Sequence, residues 1–322
     1  MAAIPGSVSA PRRRRMAERK PRIIATGGAG QVGTELIRRA AANNVNLTAL
    51  TRAELDITDA TAIRAVLKDA QPDVVINAAA YTAVDKAEED GDTAFAVNRD
   101  APGHFAEACA QLGIALIHIS TDYVFDGGKD GAYLESDPVK PIGVYGASKE
   151  AGEQAVRDVL DQHVIMRTSW VYAGHGGNFV RTMLRVGAER DTLKVVCDQT
   201  GAPTFAGDIA EAALSIARTI SAAEGERDNP PAWGTYHYTA KEHTTWHGFA
   251  EAIFDAAEPF LGRRPHVEAI PTSEYPTPAR RPANSVLDCA KIDAAFAPPR
   301  RPWREGLAEV LDELLKRSKG ES

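Results

Sequence analysis

Cysteine is scarce in this chain, with three in 322 residues. Cys109, Cys197 and Cys289 are too scattered for a disulfide framework or a zinc spacing, so a reducing, cytoplasmic setting is the simplest expectation. Long hydrophobic runs are missing as well. No apolar stretch approaches the ~20 residues that cross a bilayer, which argues against a membrane partner. Positive charge is not in excess either: the formal net charge is −7, the wrong sign for a protein held by nucleic-acid phosphates. The basic N-terminus lacks the apolar core of a secretory signal. Residues 1–20, with arginines at 12–15, read instead as a disordered basic tail, and Met16 offers an alternative start.

The rest of the chain is strongly patterned. From residue 22, short apolar runs alternate with amphipathic stretches, as a parallel sheet covered by helices requires. Strands are expected at 22–26, 46–51, 74–77, 115–120 and 163–167. Helices are expected at 32–43, 59–70, 101–112 and 145–160, with Thr58 or Asp59 capping the second. The expectation is an α/β fold whose residues 21–170 form a doubly wound parallel sheet, a Rossmann domain that binds NADP at the carboxyl ends of its strands. Past Trp170 the rhythm loosens. Helices at 178–189, 208–218, 246–261 and 303–316 are separated by Pro- and Gly-containing connections. Residues 171–322 therefore read as a smaller, discontinuous C-terminal substrate lobe, with some segments returning to the first domain. The polar, Pro-containing stretch 221–232 reads as an exposed loop.

The first strand–helix turn carries glycines at 27, 28, 30 and 33. Gly27, Gly30, Gln31, Val32 and Gly33 are the candidate pyrophosphate loop, because missing side chains let backbone N–H groups approach an anion at a helix N-terminus. After the second strand an NAD site usually presents an acid to the ribose. Arg52 stands there instead and suits a 2′-phosphate, which favours NADPH while leaving NADH acceptable. Asp56 and Ile57 are placed to border the adenine, and the small residues Ala78, Ala79 and Ala80 leave room for a flat cofactor.

Tyr145 and Lys149 lie four residues apart on an expected helix, hence on one face. A nearby ammonium is expected to lower the phenol's pKa and make it a proton donor to a carbonyl oxygen. Thr121, at the end of the fourth strand, is placed to bond the same oxygen. Hydride transfer from NADPH to a ketone fits this set, with Thr121, Tyr145 and Lys149 catalytic, and with Tyr145 and Lys149 also expected to bind the cofactor, Lys149 at the nicotinamide ribose.

These segments, together with 77–88, 120–125, 167–173, 198–204, 271–278 and 281–285, resemble the extended short-chain dehydrogenase/reductase family over about residue 22 to the C-terminus. The likeness is greatest to members that reduce the 4-keto group of a dTDP-6-deoxyhexulose to give dTDP-L-rhamnose. It implies a dTDP-sugar substrate, with Asp122, Tyr123 and Trp170 lining the sugar pocket beside Thr121 and Tyr145, and Thr82 and Val84 nearby. Asn178, Arg181 and Arg281 are expected to meet the diphosphate. Some members bind Mg²⁺ at a dimer interface through glutamates. Glu35 matches one such position, but Gly207 stands where a second acid is expected, so no metal ligand is assigned and monomer or homodimer stays open.

Two rivals share the pattern. An epimerase or 4,6-dehydratase would retain NAD, but a dehydratase needs another carboxylate beside the threonine, and here Asp122 is followed by Tyr123. A non-catalytic regulator similar to the methionine adenosyltransferase β subunit would be altered at the positions of Thr121, Asp122 and Trp170. His243 and His247 have a metal-site spacing without its glutamate. Asp85, Lys86, Glu88 and Glu89 read as a solvated helix face.

Overall fold

The computed structural model describes residues 20–223 and 231–320. The tail expected at 1–20 lies outside them but for Lys20, and so does most of the loop expected at 221–232. The helix before that loop runs to Ala222, further than the sequence suggested.

Five aliphatic runs become the strands β1 (Arg22–Thr26), β2 (Asn46–Leu50), β3 (Val74–Asn77), β4 (Ala115–Thr121) and β5 (His163–Thr168). A sixth strand, Gly234–His237, arrives from far along the chain and joins the open edge of β5. The six lie in the order Gly234–His237, β5, β4, β3, β1, β2, every pair parallel. Alternate side chains enter two separate cores. Ile23, Ala25, Val74, Ile76, Ile117 and Val164 face one side with the helix Ala206–Ala222. Ile24, Val75, Leu116 and Ile165 face the other, against Ile63, Leu67, Phe105 and Val156. A sheet buried on both faces explains why its strands lack polar alternation.

Local chemistry sets the helix ends. Asp59, not Thr58, caps Ala60–Ala70, accepting from the N–H groups of Thr61 and Ala62 at 2.8 and 3.0 Å. Val144–Val159 has no capping side chain of its own, and the N–H of Val144 instead donates to Glu88 at 2.9 Å. Gly146 lets this helix press on the chain after β4, since a Cβ there would lie 2.2 Å from the Tyr123 carbonyl oxygen.

Beyond β5, the helices Phe179–Glu189 and Trp246–Leu261 pack with a parallel pair of strands, Thr192–Val196 and His266–Ile270. Leu193, Val195, Ala250, Phe254 and Val267 form a small core of their own there. Neither of these strands, nor Gly234–His237, was expected from the sequence. Polar residues interrupt each of them, so none writes the aliphatic run that marked β3 or β4.

Candidate active site

At the end of β1 the chain turns through the glycines into the helix Gln31–Ala40. The N–H of Gly30 donates back to Gly27 at 2.8 Å. Gly30 caps the helix without a side-chain bond, leaving first-turn N–H groups for an anion. Gly33 is different from its neighbours. It does not reach the cavity, because it sits behind the loop, where a Cβ would lie 2.0 Å from the Gly27 carbonyl oxygen. Its absent side chain permits the turn.

A cavity of about 780 Å³ runs along the carboxyl ends of the strands from this loop. Apart from Gly33, every residue assigned from the sequence to catalysis, cofactor or sugar lines it. Arg52, Asp56, Thr121, Tyr145, Lys149 and Trp170 all line it.

Thr121 Oγ1 donates to Asp122 at 2.9 Å and accepts from the N–H of Tyr123 at 3.2 Å. Its hydroxyl also meets the phenol of Tyr145. Tyr123 packs edge-on against Tyr145, ring centroids 5.4 Å apart. Burial dominates, and with Asp122 repelling it pushes the Tyr145 phenol up to about 12. This corrects the expectation that Lys149 lowers it. The ammonium of Lys149 donates to the Ile119 carbonyl at 2.8 Å and lies 3.3 Å from His118 Nε2. Burial brings Lys149 itself down to about 8, opposed by Glu153. Tyr145 therefore keeps its proton at neutral pH, the state a proton donor requires.

Asp122 is 2% exposed, and its Oδ2 has no hydrogen-bond partner. Burial raises its carboxyl to about 6 against the opposing bonds from Ser285, Thr121 and backbone N–H groups. A carboxyl raised above its ordinary 3.8 favours folding while protonated, and that contribution is lost as pH climbs from 3.8 past about 6. Asp122→Asn should therefore gain stability relative to wild type over this interval, read as urea midpoints at the two pH limits.

Several other assignments move. Arg281 is not free for a diphosphate: it forms a two-pronged pair with Asp85, at 3.0 and 2.7 Å. Asp85 and Glu88 are accordingly engaged, one by Arg281 and one by Val144, and are no idle solvated face. Arg181 donates to the Gly176 carbonyl at 2.7 Å, and neither it nor Asn178 lines the cavity. Asn178 instead caps Phe179–Glu189 and donates to Gln31 at 3.0 Å, tying the glycine loop to the later part of the chain. Glu35 does not suit Mg²⁺, since its two oxygens are taken by Arg38 and Arg39. Asp208 is likewise paired, with Arg301 at 2.9 Å, and a Cβ on Gly207 would strike Arg39.

Sequence reasoning missed two partners. Trp246 lines the cavity and stacks flat on Trp170, centroids 3.6 Å apart and planes 8° from parallel. Nothing in the sequence links tryptophans so far apart. Glu153 is fully buried behind Lys149, bound by Ser120 at 2.6 Å and Arg167 at 2.6 Å. Its signal was present: an acid at i+4 from the lysine on the same helix face.

Residues 21–316 match the family described as the RmlD substrate binding domain. A Burkholderia thailandensis protein named dTDP-4-dehydrorhamnose reductase is 44% identical over 299 residues, covering 91% of this chain and 99% of its own. One of the same name from Aggregatibacter actinomycetemcomitans is 42% identical over 292 residues, 90% of this chain and 98% of its own. Among solved structures, dTDP-4-dehydrorhamnose reductase from Bacillus anthracis in complex with NADP superposes with a TM-score of 0.83 at 34% identity. That match covers 92% of this chain and all of the other.

Proposed function

The chain belongs to the RmlD substrate binding domain family, and we infer that it reduces the 4-keto group of dTDP-4-dehydro-6-deoxy-L-mannose with NADPH, giving dTDP-L-rhamnose. The observation that supports this most is one cavity holding both the glycine loop and a protonated phenol flanked by Thr121 and Lys149. The cofactor's contribution is a hydride to the carbonyl carbon. Tyr145 gives its hydroxyl proton to the keto oxygen as charge develops there, and Thr121 holds the phenol in line. Lys149 restores the proton to Tyr145. The indole of Trp170, backed by Trp246, offers the sugar an apolar wall, while Asp122, Tyr123, Thr82 and Val84 line the rest of its pocket.

Gly27, Gly30, Gln31 and Val32 receive the pyrophosphate, and Ala78 to Ala80 give the cofactor a flat bed. Arg52 is exposed at the cavity edge beside Asp56, suited to a 2′-phosphate. Arg52→Ala should raise the KM for NADPH roughly tenfold, the loss of one charge-assisted contact, and leave that for NADH nearly unchanged. Parallel saturation curves for the two cofactors check this. The protein acts in the cytoplasm as a monomer or homodimer, with no nucleic acid or membrane among its partners. Among the described residues no helix is long and apolar enough to cross a membrane.

The decisive test is nicotinamide absorbance at 340 nm, with an epimerase supplying the keto sugar. Oxidation of NADPH only when that sugar is present is expected. A protein that carries NAD⁺ through purification and leaves added NADPH intact is an epimerase or dehydratase. One that binds NADPH without turnover is a regulator.

A further inference from the structure

Behind Lys149 lies a line of buried polar side chains that the proposed chemistry leaves unused. Strand register sets Thr26 beside Asn77, and Asn77 beside His118. All three are at most 1% exposed. Asn77 Oδ1 accepts from the Thr26 hydroxyl at 2.7 Å and from the Ala79 N–H at 3.3 Å. Two donors on that oxygen fix the amide's orientation, so its Nδ2 faces His118 and donates to Nδ1 at 3.2 Å. The neutral imidazole must then carry its hydrogen on Nε2. That N–H points at Lys149 Nζ, 3.3 Å away.

The consequence is chemical. An N–H aimed at an ammonium sets donor against donor, while the same N–H aimed at a neutral amine makes a hydrogen bond. We propose that His118 is a positioning residue that favours the neutral amine of Lys149, so that this lysine serves the reaction as a proton donor and not as a fixed cation. Resting on the reductase reading, the step balances. Once Tyr145 has given its proton to the keto oxygen, one Nζ–H bond of Lys149 breaks and that proton passes through solvent in the shared cavity to the phenolate oxygen. The lone pair left on Nζ accepts the His118 Nε2–H, and solvent later returns a proton to the amine. The Ile119 carbonyl keeps its bond to Nζ throughout, which holds the amine in place.

The surrounding charges agree. Burial, with Lys149 and His163 adding repulsion, holds His118 well below its ordinary range, hence neutral. Facing Lys149 from its own helix, Glu153 favours the ammonium, but Arg157 and Arg167 already engage that carboxylate. Tyr145, also on this helix, is neutral until it reacts.

Nitrogen-15 NMR of the full chain tests this without turnover. Histidine-labelled wild type should show His118 as the Nε2–H tautomer, unprotonated at Nδ1 across roughly pH 6 to 9. Lysine-labelled protein should show Lys149 titrating near 8. In His118→Gln an amide oxygen can turn toward the ammonium, so the Lys149 midpoint should rise by about one unit. The alkaline limb of kcat should move up with it, the KM values staying put. An Nδ1–H tautomer in wild type overturns the proposal, as does a Lys149 midpoint and kcat limb unmoved in His118→Gln. Should that variant not fold, the wild-type tautomer decides alone. Absent turnover with the Nε2–H tautomer present would count against the reductase reading and leave the His118–Lys149 geometry standing.

Discussion

Tyr145→Phe should lower kcat roughly 10²- to 10⁴-fold, the usual worth of a positioned general acid, while leaving the affinity for NADPH within about twofold. The phenyl ring keeps the edge-on contact with Tyr123, so packing is preserved and only the hydroxyl is lost. Its proton is available over the whole working range, because burial holds the phenol up to about 12. The acid should therefore set no limb of the pH–rate profile near neutrality. A limb near 8 belongs to Lys149, and it falls on the alkaline side because that group must be charged to return the proton. Stopped-flow hydride transfer and NADPH titration by fluorescence separate the two effects. Turnover within tenfold of wild type would remove Tyr145 from the chemistry.

How much of this was legible beforehand depended on the range over which each residue acts. The run 74–77 and the helix 101–112 were placed to the residue, because a sheet buried on both faces writes continuous aliphatic strings and its covering helices write a 3.6-residue period. Gly234–His237 carries no such string. Only β5's unpaired edge makes it a strand, and a sequence does not display that edge. The same limit applied inside the site. Helical spacing put Tyr145 and Lys149 on one face, but which atom the ammonium would reach depended on Ile119 and His118 across the strand. Arg281 looked like a free phosphate ligand until Asp85, far back in the chain, was found holding it. Trp170 takes φ of +48°, a conformation no tryptophan's identity suggests, and its ring lies on Trp246.

The buried acid beneath the active site should prove the most costly to remove. Glu153 is fully buried and meets Arg167, 2% exposed, through two oxygens at 2.6 to 3.1 Å, with Ser120 and Arg157 satisfying the remainder. Glu153→Ala strands the Arg167 guanidinium without a counter-charge, which should cost about 3–5 kcal/mol in unfolding free energy. Replacing both partners, as Glu153→Leu with Arg167→Met, removes the buried charges together and should recover most of that loss. Equal destabilisation in the single and double variants would refute the account, since it assigns the cost to the unpaired charge and not to lost volume. The bonds from Arg167, Ser120 and Arg157 overcome burial and hold Glu153 below its usual 4.5. Its contribution is therefore full above 4.5 and lost as pH falls through the lower folded value, which makes wild type the more acid-sensitive protein and the double variant the less. Losing this carboxylate also removes a negative charge that favours the ammonium of Lys149, so the alkaline limb of kcat should shift downward in the double variant. A stability change and a displaced pH limb, arising together from a residue that does not line the cavity, would tie the fold's buried ion pair to the proton chemistry above it.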